Sequence, residues 1–236
     1  MTGPSDRPAA GGFAVIVDGR PLRTPLGAEV VAPTPALADA LTAEMRAAGT
    51  GAAPGKLRAE AMPLTRMAST ALDRVARYRA DIERQLLAYA ETELLCHRAE
   101  HPPELAARQR AAWQPLLDWL AHRHDALLAV TTGILARPQS PASLEALRAV
   151  IGGFDVWRLT GVSVAVAASG SLVIGLAMAA GHLDAARAFE AAELDETYQI
   201  ETWGEDKEAA ERRALIRAEL ELAARFFGLL YEGGRP

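Results

Sequence analysis

Cysteine is almost missing: Cys96 is the only one in 236 residues. No disulfide can close within the chain, and a cysteine cage for zinc is excluded. This fits a reducing compartment. Lysine is nearly absent too, with Lys56 and Lys207 alone, so arginine supplies the rest of the 25 basic residues. They face 30 acidic residues, for a net charge of -5, and no basic cluster is visible. An acidic chain without one is a poor nucleic-acid binder, because phosphate neutralisation dominates such binding. The polar, Pro- and Gly-containing start, Met1–Gly12, has no apolar core of a secretory signal and no Arg-rich presequence pattern. The expectation is a cytoplasmic protein.

A long uncharged run does exist. Leu159–Gly181 carries no charged residue and has about the length that spans a bilayer. It is rich in Ala, Gly and Ser, has no aromatic belt at its ends, and is interrupted at Ser169-Gly170-Ser171. A buried hairpin or bent central helix is expected there, with no membrane insertion.

What is present in quantity is apolar aliphatic sequence. Hydrophobic residues make up 50% of the chain and aromatics only 6%. Alanine, the best helix former, supplies much of it. The expected fold class is α+β, with a small antiparallel β-rich N-terminal domain over residues 1–55 and a larger all-α domain over residues 56–236. Phe13–Val17 reads as a strand, Asp18-Gly19 as a type I′ turn, and Arg20–Thr24 as the return strand. Glu29–Ala32 is a third candidate. Thr34-Pro35 opens a helix that buries Leu37, Leu41 and Met45 and ends at Gly49. Thr50–Gly55 reads as a linker.

Helical periodicity then runs from Pro63 almost to the end. Met67, Ala71, Val75, Tyr78 and Ile82 fit one face, continued by Leu86 and Tyr89. Pro103–His124 fits a second helix, in which Pro115 predicts a break or kink. Ser140-Pro141 starts a third. One helix is expected over Asp184–Glu201 and a terminal one over Glu205–Tyr231. The last has Ile216, Leu220, Ala223, Phe227 and Leu230 on its inner face and Glu208/Arg212 and Glu221/Arg225 as i,i+4 pairs.

Catalytic signatures are missing. There is no phosphate-binding glycine loop and no G-x-S-x-G elbow. Cys96 and His97 are adjacent, a poor geometry for a nucleophile and its base, and Cys96 reads as a core thiol. His122 and His124 are two apart, which separates them on a helix. Glu93 and His97 share a helical face at i,i+4, but no second Glu-x-x-His unit is there to build a di-metal site. No cofactor and no metal is expected. The rival reading keeps an enzyme with a metal or carboxylate site around His97, His122, His124 and Glu196.

The segment Ala188–Gly204 reads AFEAAELDETYQIETWG. On one continuous helix Glu196 falls with Phe189, Ala192 and Ile200. A carboxylate on an apolar face is costly unless paired. Glu196 is therefore either an internal ion-pair partner of an arginine or the contact for a cation on another protein. Trp203 is either a packing residue at a hinge or an interface anchor.

Leu194–Gly204 resembles the signature of the ATP-twelve family, assembly chaperones for the alpha subunit of the F-type ATP synthase. The shared pattern is an acidic cluster, then aromatic-Gln-Ile, two residues and Trp-Gly at the opening of the last helix. Val17–Pro25, Met62–Met67, Thr70–Asp73, Glu93–Arg98, and Trp113–Leu116 with Trp119 match in the family's order. Thr197 stands where many members have an acid, and Met45 where many have tryptophan. The resemblance implies a monomeric chaperone, not an enzyme, that binds unassembled alpha subunit and shields the surface later covered by the beta subunit. It implies partner contacts in the segment 193–204, at Glu196, Glu193, Tyr198, Gln199 and Trp203, with Glu196 first among the acids.

Overall fold

The computed structural model describes residues 8–9, 11–49, 61–133 and 137–231. The chain folds as two compact units. One comprises Met1–Arg79, Asp155–Gly161 and Arg225–Pro236, the other Ala80–Phe154 and Val162–Ala224. The boundary expected near residue 55, and the Thr50–Gly55 linker, lie outside the described residues.

In the first unit β1 (Pro8–Ala9), β2 (Gly12–Ala14) and β5 (Val31–Ala32) form an antiparallel sheet in the order β1-β2-β5. β3 (Ile16–Val17) and β4 (Arg20–Pro21) form the expected hairpin, with Val17 opposite Arg20. Asp18 and Gly19 have φ of 50° and 76°. A type I′ turn needs that sign at both positions, and Gly and Asp adopt it most readily. α1 (Pro35–Gly49) starts at Thr34, whose hydroxyl accepts from Leu37 N at 3.2 Å and donates to the Leu229 carbonyl. Leu37, Ala38 and Leu41 are buried on its inner face.

Glu44 on α1 caps α2 (Pro63–Thr70). Its carboxylate accepts from Leu64 N at 2.9 Å and Thr65 N at 2.7 Å, two donors that a helix start leaves without partners. The helical face then goes out of phase. Ala71–Val75 is a π-helical turn, and a turn follows before α3 (Arg79–Glu91). The wider turn moves later residues round the axis, so Met67, Ala71 and Val75 are buried but Tyr78 is exposed. The turn after β4, closed by the Arg23–Glu29 bridge, is fixed by Asp73, which accepts from Thr24 Oγ at 2.7 Å and Leu26 N at 3.1 Å.

The second unit is helical around one short parallel pair, β6 (His97–Arg98) with β7 (Thr131–Thr132). Glu93 and His97 therefore share no helical face: a single 3-10 turn, Leu94–Cys96, separates them. α4 (Pro103–His124) is continuous, so Pro115 does not break it. Pro115 is on the exposed side, while Trp113, Leu116, Leu117 and Leu120 are buried and anchor the helix on both sides of it. α5 (Pro141–Gly152) is capped by Ser140, as expected.

The uncharged run becomes α6 (Val156–Ser169), a turn at Gly170 with φ of 70°, and α7 (Leu172–Ala179). All eight residues of α7 are buried. Among the described residues no helix is long and apolar enough to cross a membrane. α8 (Ala185–Ala192), α9 (Leu194–Trp203) and α10 (Lys207–Leu230) complete the chain. α10 buries Leu220, Ala223 and Phe227, much as its periodicity predicts. In the first unit, Phe227 lies so close to Gly161 that a Cβ there would sit 2.5 Å from the ring.

The start of α7 is capped from a distance in sequence. Glu93 is fully buried and accepts from Leu95 N at 3.3 Å, Leu172 N at 2.9 Å, Val173 N at 3.3 Å and the Ser171 hydroxyl. A carboxylate suits the positive end of a helix. Burial pushes its carboxyl up from 4.5 to about 7, against the pull of those hydrogen bonds. The folded protein thus holds the proton more tightly than the unfolded chain. Stability should fall as pH rises from about 4.5 to about 7 and level off above, in urea melts across that range. The slope should become shallower in Glu93→Gln, leaving the smaller contribution of other buried acids such as Glu193. Glu93→Ala, which strands buried donors, should lose about 2–4 kcal/mol of unfolding free energy.

Candidate partner-binding site

The single helix expected over Asp184–Glu201 is two. The backbone breaks at Glu193 (φ -104°, ψ 21°), the last residue of α8's cap and the first of α9's. The break resets the helical phase. Glu196 is therefore not aligned with Phe189 and Ala192, as one continuous helix would place it. Phe189 is buried under α10, with Arg213 and Arg217 over its ring at 5.2 Å and 3.9 Å.

α9 has no fully buried residue, though residues 194–198 and Ile200 are half-buried. It is held by polar contacts from α4. Asp195 accepts from Gln109 Nε2 at 2.7 Å, Glu201 pairs with Arg108 at 2.5 Å, and the same guanidinium lies 5.3 Å over the Tyr198 ring. Gln109 is itself buried and also accepts from Ala99 N at 2.7 Å. Trp113 Nε1 donates to the Ala191 carbonyl at 2.8 Å and fixes the end of α8. Beside these contacts Arg108, Ala111, Ala112, Glu190, Leu194 and Thr197 line a shallow cavity of about 460 Å³.

The five residues singled out from the sequence divide by position. Glu196, Gln199 and Trp203 stand at i, i+3 and i+7, with Ile200 at i+4, and so share one side of α9. Gln199 is exposed, Glu196 and Ile200 are half-buried, and Trp203 is 76% exposed. Of the two readings of Trp203, hinge packing does not fit that exposure. Tyr198 is turned to α4 beneath Arg108. Glu193 is buried at the helix break and pairs with Arg213 at 3.3 Å. Burial pushes its carboxyl above the usual range and Glu196 adds to that, while Arg212 and Arg213 pull it down.

Glu196 is neither bare nor sealed. Arg212 approaches it at 3.2 Å, with the side chains 28% exposed for Glu196 and 55% for Arg212. Arg212 thus turns to α9 instead of pairing with Glu208 on its own helix. Arg213 is the fixed one of the two arginines. It meets Glu193, Glu205 at 3.4 Å and Thr197 Oγ at 3.1 Å. Sequence reasoning asked for an arginine near Glu196 but had no means of choosing one. It missed Arg108 and Gln109 altogether, because their role depends on how α4 packs against α9. It also missed Leu215, which is 69% exposed on α10.

The histidines of the rival reading are not brought together. His97 is in β6, His122 Nδ1 lies 2.6 Å from the Asp118 carbonyl, and His124 packs edge-on against Trp119. Among the described residues no group of three His, Cys, Asp or Glu side chains could hold a metal. Burial pushes the Cys96 thiol up to about 12, with Glu93 adding to it, which keeps the group a thiol.

The profile of the family described as ATP12 chaperone protein matches residues 3–121. The chain belongs to this family. The signature segment 193–204 lies beyond that match, but solved relatives extend over it. The crystal structure of Atp12 from Paracoccus denitrificans is 38% identical, covers 94% of this chain and 93% of that one, and superposes with a TM-score of 0.87. A mutant of P. denitrificans Atp12p is 37% identical over 95% and 94%, with a TM-score of 0.89. The mitochondrial protein atp12 of Schizosaccharomyces pombe is 23% identical over 212 residues, 85% of this chain and 72% of that protein. The chain is thus an ATP12-family chaperone, an assembly factor of the F1 ATP synthase, built on the α+β fold expected.

The contacts from α4 make a separate claim about this family member. Gln109→Ala strands Asp195 and the Ala99 N–H. It should cost about 1–3 kcal/mol of stability. Hydrogen exchange should speed up in α9 more than in α7, as read by mass spectrometry.

Proposed function

We propose that this chain captures the unassembled alpha subunit of the F-type ATP synthase through the outer side of α9, and shields it until the beta subunit takes over. The observation that carries this reading is an exposed indole, Trp203, two turns from the half-open carboxylate of Glu196, on a helix with no fully buried residue. Tryptophan is enriched where binding energy concentrates. A polar group beside it supplies selectivity. Glu196, Gln199 and Trp203 touch the partner. Glu193 and Tyr198, turned inward, set the angle at which α9 presents them.

Capture needs no fuel. A lone subunit exposes apolar surface that promotes aggregation, and a binder of moderate affinity covers it and yields to a tighter neighbour. The chain acts as a monomer, by binding and not by catalysis. The side chains that a metal or nucleophilic site would recruit are spent elsewhere: Glu93 on α7, His124 on Trp119, Cys96 in the core. The bacterial source of the more similar solved relatives, and a single buried thiol, suit a cytoplasmic place of work.

The test is a light-scattering assay of alpha subunit released from denaturant, with and without the chaperone. Trp203→Ala should melt like the wild type, since its side chain is outside. Its affinity for alpha subunit should drop by about tenfold or more, the range of an interface hot spot. Glu196→Gln should weaken capture as well. Undiminished protection by both variants would remove α9 from the contact surface.

A further inference from the structure

The charges around the break at Glu193 form a group with a fixed half and a loose half. Among the described residues Glu193, Glu196 and Glu205 pair with Arg212 and Arg213, three acids to two bases. Arg213 is held by three partners and is 15% exposed. Arg212 makes a single approach, 3.2 Å from Nη2 to Glu196 Oε1, and its side chain is 55% exposed. No two-pronged guanidinium–carboxylate fork is formed, although that is the geometry in which arginine binds best.

We infer that the Glu196 carboxylate is a seat for an arginine of the partner protein, and that Arg212 occupies this seat until the partner's guanidinium displaces it. The inference rests on the reading that α9 is the contact surface, and adds the chemistry of what arrives there. Exchange of one arginine for another keeps Glu196 paired throughout. A carboxylate left bare in the free chaperone would attract any cation, whereas a seat already filled by a weakly held arginine selects for a better one. A guanidinium approaching from outside can take both oxygens, which Arg212 does not. Arg213 stays 3.3 Å from Glu193 when Arg212 leaves, so the buried acid keeps its direct ion-pair partner, although it loses the more distant pull of Arg212. The indole of Trp203, on the same side of α9, offers an apolar and cation-binding face to the same incoming segment.

The occupied seat predicts that a binding residue can be improved by removing its neighbour. Arg212→Gln should bind purified alpha subunit about two- to fivefold more tightly than the wild type, the range of an exposed ion pair no longer to be broken. Its affinity should also fall more steeply with salt, because it forms a pair where the wild type exchanges one. In the double variant Glu196→Gln/Arg212→Gln the gain should disappear. Surface plasmon resonance against immobilised alpha subunit at low and high salt reads all three, and thermal melts confirm that each variant is folded. Weaker or unchanged binding by Arg212→Gln overturns the exchange. If Trp203→Ala remains impaired in that event, α9 is still the contact surface and only the exchange has failed. If Trp203→Ala is also inert, the contact surface itself was misassigned.

Discussion

The arrangement of the C-terminal helices depends on one buried ion pair, Glu193 with Arg213. A carboxylate out of water must be neutralised or bonded, and the cost of leaving it alone is several kcal/mol. Glu193 sits where α8 ends and α9 begins, so the requirement acts on the backbone at a break. Arg213 meets it from α10, and the same guanidinium reaches Thr197 on α9 and Glu205 before α10. One planar group thereby ties the break, the following helix and the entry to the last helix. The direction of α9 follows from that tie and from the polar contacts of Arg108 and Gln109 on α4. Its apolar residues Leu194 and Ile200 are only half-buried, so the polar contacts carry much of that placement.

The same unit holds a second buried carboxylate and treats it differently. Glu93 has no cation; its charge is met by backbone N–H groups and a hydroxyl at the start of α7. α7 is buried on all sides and supplies no polar side chain beyond its cap. A helix so placed leaves its first N–H groups out of reach of water, and a distant acid is what satisfies them. Arginine suits Glu193 because that site opens toward solvent, where a long guanidinium stem can enter from α10. The environment, more than the residue type, decides which kind of partner an interior acid acquires.

How much of this was legible in the sequence follows from the range of each interaction. The hairpin at Asp18-Gly19, the cap at Thr34 and the turn at Gly170 depend on neighbours in the chain, and periodicity and turn chemistry gave them. Features that shift a helical phase were not legible. The π-helical turn at Ala71–Val75 turned Tyr78 outward, and the break at Glu193 separated Glu196 from Phe189. Neither carries a proline or a glycine to announce it. Pro115 erred in the other direction: the residue that breaks helices in isolation was outvoted by four buried side chains around it. The partners of Glu93 and Glu196 could be required from the sequence but not named, since each comes from an element far along the chain. The proposed contact residues were picked through the family signature. The physical argument that first drew attention to Glu196 assumed a continuous helix, and that assumption did not hold.

No residue of α9 is fully buried, and this has a consequence for how its exposed side chains can vary. Replacing a core residue trades binding against folding, because packing is lost with any change of shape. On α9 Asp195, Tyr198 and Glu201 contact α4, while Glu196 turns to Arg212 on α10 and Gln199 and Trp203 are exposed. The two sets are interleaved in sequence but separated in space. The outer set can be shaped by what it meets without disturbing the inner set that aims it. An exposed tryptophan carries a cost in solubility. A net charge of -5 over the chain favours solubility and offsets part of that cost.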